Sequence, residues 1–136
     1  MKNENQIILD ACCGNRMMWF NKKHPNVIYL DQRKEVKPDV VGDFRDLKQI
    51  KSKSLKLVVF DPPHDIYHHK ANSNSGFQNN FGNLDPNTWQ KDLKKGLSEC
   101  YRVLEKYVVL IFKWNTHDAK IHRIIPLLPT EPLFMN

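Results

Sequence analysis

Apolar residues in the first half of this chain cluster in short runs, and each run ends on an acid. Ile7, Ile8 and Leu9 lead to Asp10, Val27 to Leu30 lead to Asp31, Val40 and Val41 precede Asp43, and Leu57 to Phe60 lead to Asp61. Runs of buried-type residues without polar alternation predict strands of a parallel sheet, covered on both faces. The run at 57–60 is the centre of this arrangement. Pro62 and Pro63 cannot donate to a ladder and hold their predecessors extended, so the strand stops at Asp61. The Asp61 carboxylate then faces the carboxyl edge of the sheet, where open α/β folds bind ligands.

The segments between the runs read as connections. Ala11-Cys12-Cys13-Gly14-Asn15 is a tight turn of small residues into a helix over Arg16 to Lys22, closed by His24-Pro25. The basic segment Arg45 to Lys56 offers one or two helical turns around Leu47 and Ile50. Residues 64–85 lack periodicity and are rich in Asn, Ser, Gly and His, a loop long enough to predict a lid on the substrate side. Asp85 and Pro86 start a helix as cap and first residue. Its apolar stripe is Trp89, Leu93, Leu97, Cys100, Tyr101 and Leu104, with Lys91, Lys94, Lys95 and Arg102 left outside. A buried strand follows at Tyr107 to Trp114, then a helix capped by Thr116 with Ile121, Ile124 and Ile125 on its apolar face, ended by Pro126. This alternation predicts an α/β, doubly wound, mainly parallel sheet of order 3-2-1-4-5 in a single domain spanning 1–136.

Composition narrows the class. The 136 residues suffice for one core, and no apolar stretch approaches the roughly 18 residues of a membrane span. No signal peptide opens the chain, so a cytoplasmic protein is expected. Three cysteines without a CxxC pair read as reduced core thiols. A formal charge of +6 suits a polyanionic partner, although charge alone also serves solubility. His64, His68 and His69 with Asp61 and Asp65 match no closed zinc spacing, so no metal is expected.

Ile8-Leu9-Asp10-Ala11-Cys12-Cys13-Gly14, Tyr29-Leu30-Asp31, Gly42-Asp43-Phe44 and Phe60-Asp61-Pro62-Pro63-His64 together resemble the class I S-adenosylmethionine-dependent methyltransferases, in order and in spacing. The last motif is similar to the [DNS]PP[YFWH] signature of enzymes that methylate exocyclic amino nitrogens of bases. Tyr101 to Leu104 and Phe112-Lys113-Trp114 suit the same family, whose small members are common in phages. The resemblance implies that Asp10 and the backbone of Ala11, Cys12 and Gly14 hold the methionine end of S-adenosylmethionine. It further implies that Asp31 accepts from the ribose hydroxyls, that Asp43 and the Phe44 amide bind adenine, and that Asp61 borders the cofactor. Asp61 and the Pro62 carbonyl would accept the target amino hydrogens, Pro63 would complete the motif, and His64 would stack on a flipped or single-stranded base.

The implied activity is methyl transfer to a base amine of DNA or RNA, adenine N6 first. A methyltransferase for a protein or small molecule, or a cofactor-binding subunit that needs a partner, stands as the alternative. Relatives continue into a sixth and an antiparallel seventh strand, whereas this chain stops at Pro132 to Asn136, where strand six would begin. A truncated end, a homo-oligomer or a partner subunit covering that sheet edge would each account for this. Carbon-5 cytosine methylation by Cys12 or Cys13 is a poor reading, since it needs a Pro-Cys dipeptide where this chain has Pro62-Pro63.

Overall fold

The computed structural model describes residues 3–67 and 83–135. Most of the expected loop 64–85 therefore lies outside the described residues. Five strands form one parallel sheet: β1 (Ile8–Asp10), β2 (Val27–Asp31), β3 (Val40–Val41), β4 (Leu55–Phe60) and β5 (Leu104–Phe112), in the order β3-β2-β1-β4-β5. This is the Rossmann-like order that the pattern predicts. Helix α1 spans Trp89–Val103, and a single turn, α2, spans Ile121–Ile124.

Strand parity sorts the side chains into two layers. Leu9 lies opposite Ile28 and Val58, Val58 opposite Leu110, and Phe60 opposite Phe112. These residues share one face and one core with Leu93, Leu97, Cys100 and Val103 of α1 and with Ile124 of α2. Phe44, Leu47 and Ile50, from the connection between β3 and β4, fill the same layer. Val27, Tyr29 and Ile8 point to the other face, where Cys13 and Trp19 cover them.

That cover departs from the expected helix. Residues 16–22 form turns, with Gly14 and Arg16 both in the left-handed region at φ 48° and 58°. Arg16 leaves the helical path because its guanidinium has better partners: it lies 3.9 Å from the Tyr29 ring centroid and donates to the carbonyls of Lys22 and Lys37. Residues 45–54 likewise form turns, fixed from outside by Glu99 and Arg102 of α1. Glu99 accepts the Leu47 N–H at 2.8 Å, and Arg102 donates to the carbonyls of Leu47 and Ile50. Arg102, expected outside, is thus a half-buried brace.

Boundaries shift elsewhere too. The regular part of α1 starts at Trp89; Asp85 heads a preceding turn, its side chain accepting the Asn87 N–H at 2.7 Å. Tyr101 is exposed, and Leu104 has left the helix to open β5. Tyr107, at φ 61°, sits in an irregular stretch that lets Leu104 face Leu55 while Val109 faces Leu57. In α2 only Ile124 is buried; Ile121 and Ile125 face outward, and Lys120 rather than Thr116 holds the cap position. No described helix is long and apolar enough to cross a membrane.

Candidate active site

The carboxyl ends of β1, β2 and β4 open on one cleft, and the turns that follow them line it. Its walls include Asp10, Ala11, Cys12, Gly14, Asp31, Phe44, Asp61, Pro62, Pro63 and His64. Residues far apart in the chain meet there because the sheet order sets β1 between β2 and β4. The turn itself is stitched to both neighbours: the Ala11 N–H donates to the Val59 carbonyl at 3.0 Å and the Cys13 N–H to the Leu30 carbonyl at 2.9 Å. Of the residues expected to hold the cofactor or the target base, Asp43 alone is not on the cleft wall.

A repeated local device fixes the acids. In Asp10, Asp31 and Asp43 the side chain accepts the backbone N–H of the residue two places on: Cys12 at 3.3 Å, Arg33 at 3.0 Å and Arg45 at 2.9 Å. Such Asx turns cap a strand end and aim the carboxylate. At Asp31 and Asp43 the same residue also folds its guanidinium back. Arg33 donates through Nε to Asp31 Oδ1 and through a terminal nitrogen to Oδ2, at 3.0 and 3.1 Å. Arg45 grips both Asp43 oxygens, the shorter contact being 2.6 Å.

These contacts set the charges. Burial raises Asp31, but the Arg33 hydrogen bonds, the Arg33 and Gly14 amides and the Arg33 charge outweigh it and hold the carboxyl below the usual carboxylate range. Asp43 is lowered in the same way: burial opposes, and Arg45 prevails. Asp10 goes the other way. Burial pushes it up to about 6, against hydrogen bonds from the Trp19 indole and the Cys12 amide, while the charges of Asp61 and Asp31 add to the rise. The Trp19 Nε1–H to Asp10 Oδ2 bond, at 2.7 Å, ties the irregular 11–26 cover to the cleft floor.

The cysteines beside this acid are held in the thiol form. Burial first, then the Asp10 and Asp31 charges, push the Cys13 thiol up to about 12 and Cys12 well above its ordinary value. A thiol so raised is not a thiolate at neutral pH.

Adenosine chemistry fits this donor and acceptor set in part. Gly14, at φ 48°, keeps the turn free of a side chain, and a Cβ there would lie 3.4 Å from the Arg33 guanidinium. Asp31 is buried, ionised and on the cleft wall, as a diol acceptor must be. Its oxygens already accept from Gly14 and Arg33, so a ribose would have to share them. Asp43 is committed to Arg45 and stands off the wall, which leaves Gly42 and Phe44 as the groups of that segment facing the cleft.

At the β4 end, Asp61 Oδ2 accepts from Lys113 Nζ at 3.1 Å. His64 lines the same end; its Nδ1 is buried without a hydrogen-bond partner among the described residues, and its ring meets Trp114 edge-on at 6.3 Å between centroids. Behind them runs an aromatic column, Phe44 on Phe60 on Phe112 on Trp114. Asp118 pins the chain beyond His64 by accepting the Ile66 and Tyr67 amides. His68 and His69, named with His64 as metal candidates, lie outside the described residues.

Arg33, Arg45, Lys113 and Asp118 are site residues that the sequence pattern did not single out. The first two carried a signal, the repeated Asp-x-Arg of 31–33 and 43–45. Lys113 stood in the Phe112-Lys113-Trp114 segment but with no partner assigned to it, and Asp118 carried no signal, since each meets its partner from over 50 residues away. No protein family, curated protein or solved structure matches the chain.

Proposed function

We propose that this chain transfers a methyl group from S-adenosylmethionine to an exocyclic amino nitrogen of a nucleic-acid base, adenine N6 first. The observation that carries the reading is the meeting, in one cleft, of the Asp10-to-Gly14 turn, the Asp31 carboxylate and the Asp61-Pro62-Pro63-His64 strand end. Bound S-adenosylmethionine supplies an electrophilic methyl group. Asp10, the Ala11-to-Gly14 backbone, Asp31 and the Phe44 segment are the groups that would hold it.

The chain's own task is to make a poor nucleophile usable. An aryl amine delocalises its lone pair into the ring, and two acceptors at the amino hydrogens reverse this by favouring a more tetrahedral nitrogen. Asp61 Oδ1 and the Pro62 carbonyl accept no hydrogen bond among the described residues, so neither is committed to another donor. His64, which would stack on the base, lines the same end. Orientation by these groups supplies the rest of the acceleration.

Labelled methyl transfer to mixed DNA and RNA, followed by digestion to nucleosides and mass identification, tests this. The expected product is N6-methyladenine, with Asp61→Ala lowering turnover at least about 100-fold while the cofactor still binds. Full turnover in Asp61→Ala, or label that enters only protein or small molecules, overturns it.

A further inference from the structure

Asp61 differs from the other strand-end acids in how it is held. Asp10, Asp31 and Asp43 each accept the N–H of the residue two places on. At Asp61 that residue is Pro63, and the one before it is Pro62, so neither position has an N–H to give. The dipeptide that frees the Pro62 carbonyl thus also removes the local device that aims a carboxylate. Something else must aim it.

Resting on the amine-methylation reading above, we propose that Lys113 is the positioning residue for Asp61: it binds Oδ2 and thereby presents Oδ1 to the target amine. Among the described residues Lys113 Nζ is the sole hydrogen-bond donor to that carboxylate, at 3.1 Å. Its place is fixed by backbone, since the Lys113 N–H donates to the Phe60 carbonyl at 3.0 Å and so registers the end of β5 against the residue before Asp61. Lys113 also lines the cleft beside Asp61, so the pair borders the space a ligand would fill. An exposed ion pair contributes little to folding, and a role in stability would not explain this placement. A fixed cation on one oxygen breaks the equivalence of the two, and a carboxylate free to rotate would present either.

The test uses the whole chain and three readouts: turnover at saturating oligonucleotide, KM at several salt concentrations, and cofactor affinity. Lys113→Met should lower kcat by up to about 100-fold while cofactor affinity stays within about twofold, the loss expected of a misaimed group about 1 Å out of place. Lys113→Arg, which keeps a cationic donor, should return kcat to within about threefold of wild type. An unchanged kcat with a raised KM and a shallower salt dependence would assign Lys113 to a phosphate contact and overturn the proposal. A loss of cofactor affinity as large as the loss of kcat would make Lys113 a structural residue and overturn it equally. Should the wild type bind cofactor but methylate no base, the amine reading itself fails, and this assignment with it.

Discussion

Asp10 is a buried carboxyl that folding makes harder to ionise, and the consequence is measurable. Its value rises from 3.8 to about 6 on folding, mainly through burial. A carboxyl raised in the folded state destabilises wherever both states must be ionised, so its cost is full above pH 6 and is relieved as pH falls toward 4. That rise corresponds to about 3 kcal/mol at most. Asp31, Asp43 and Glu99, held low by arginines, act in the opposite sense and contribute stability that is lost only as pH falls below the ordinary carboxylate range. Unfolding by urea should therefore show greater stability near pH 5 than at pH 7. Asp10→Asn, which cannot ionise, should lose most of that gain, and an identical pH dependence in variant and wild type would refute the assignment. Three of the four acids expected at strand ends, Asp10, Asp31 and Asp61, do stand on the cleft wall. Asp43 does not, because its neighbour two residues on decides what its oxygens touch.

At the scale of the element, α1 is the strut that shapes the cleft wall. Gly96 sits on its buried face, and a Cβ there would collide with the Phe44 ring and lie 3.2 Å from Phe60. Gly96→Ala therefore sets two effects against each other. Helix propensity favours alanine by about 1 kcal/mol, whereas overpacking of a filled core costs about 1–3 kcal/mol and displaces a ring. Overpacking should win, with net destabilisation of about 1 kcal/mol by thermal or urea unfolding and, if the cleft holds the proposed cofactor, weaker binding of it because Phe44 lines that cleft. A stabilised variant would mean that Phe44 gives way freely. The sequence placed α1 and four residues of its stripe, Trp89, Leu93, Leu97 and Cys100, whereas Tyr101 is exposed and Leu104 belongs to β5. It misjudged residues 16–22 and 45–54, which have apolar residues at suitable intervals but are held in turns by long-range partners. Trp19 bonds Asp10, Arg16 stacks on Tyr29, and Arg102 gathers the carbonyls of the second segment.

For the whole molecule, the +6 charge and the one-sided cleft bear on the partner. If nucleic acid is the substrate, binding of a short single-stranded oligonucleotide should weaken about tenfold or more between 50 and 200 mM salt, as release of counterions from two or three phosphates requires. Fluorescence anisotropy across that range reads the slope, and salt-independent binding would remove the electrostatic argument for a polyanion. The outer face and edge of β5 also matter here: Tyr107, Val109 and Ile111 are exposed, and β5 ends the sheet among the described residues.

By itself the sequence determined the strands, their acids, the parallel order and the cluster of motifs at one sheet edge. Those features follow from apolar runs, proline stops and one glycine turn, all of which act within a few residues. Tertiary structure alone decided which carboxylate oxygens remain open, that the 11–26 connection covers the second face without a helix, and that Lys113 reaches Asp61. These depend on groups brought together from as many as 52 positions apart, and no local pattern encodes a meeting of that kind. Even so, one part of the last result was written locally: Pro63 denies Asp61 the amide that holds its three counterparts, which is why a distant donor could take that place.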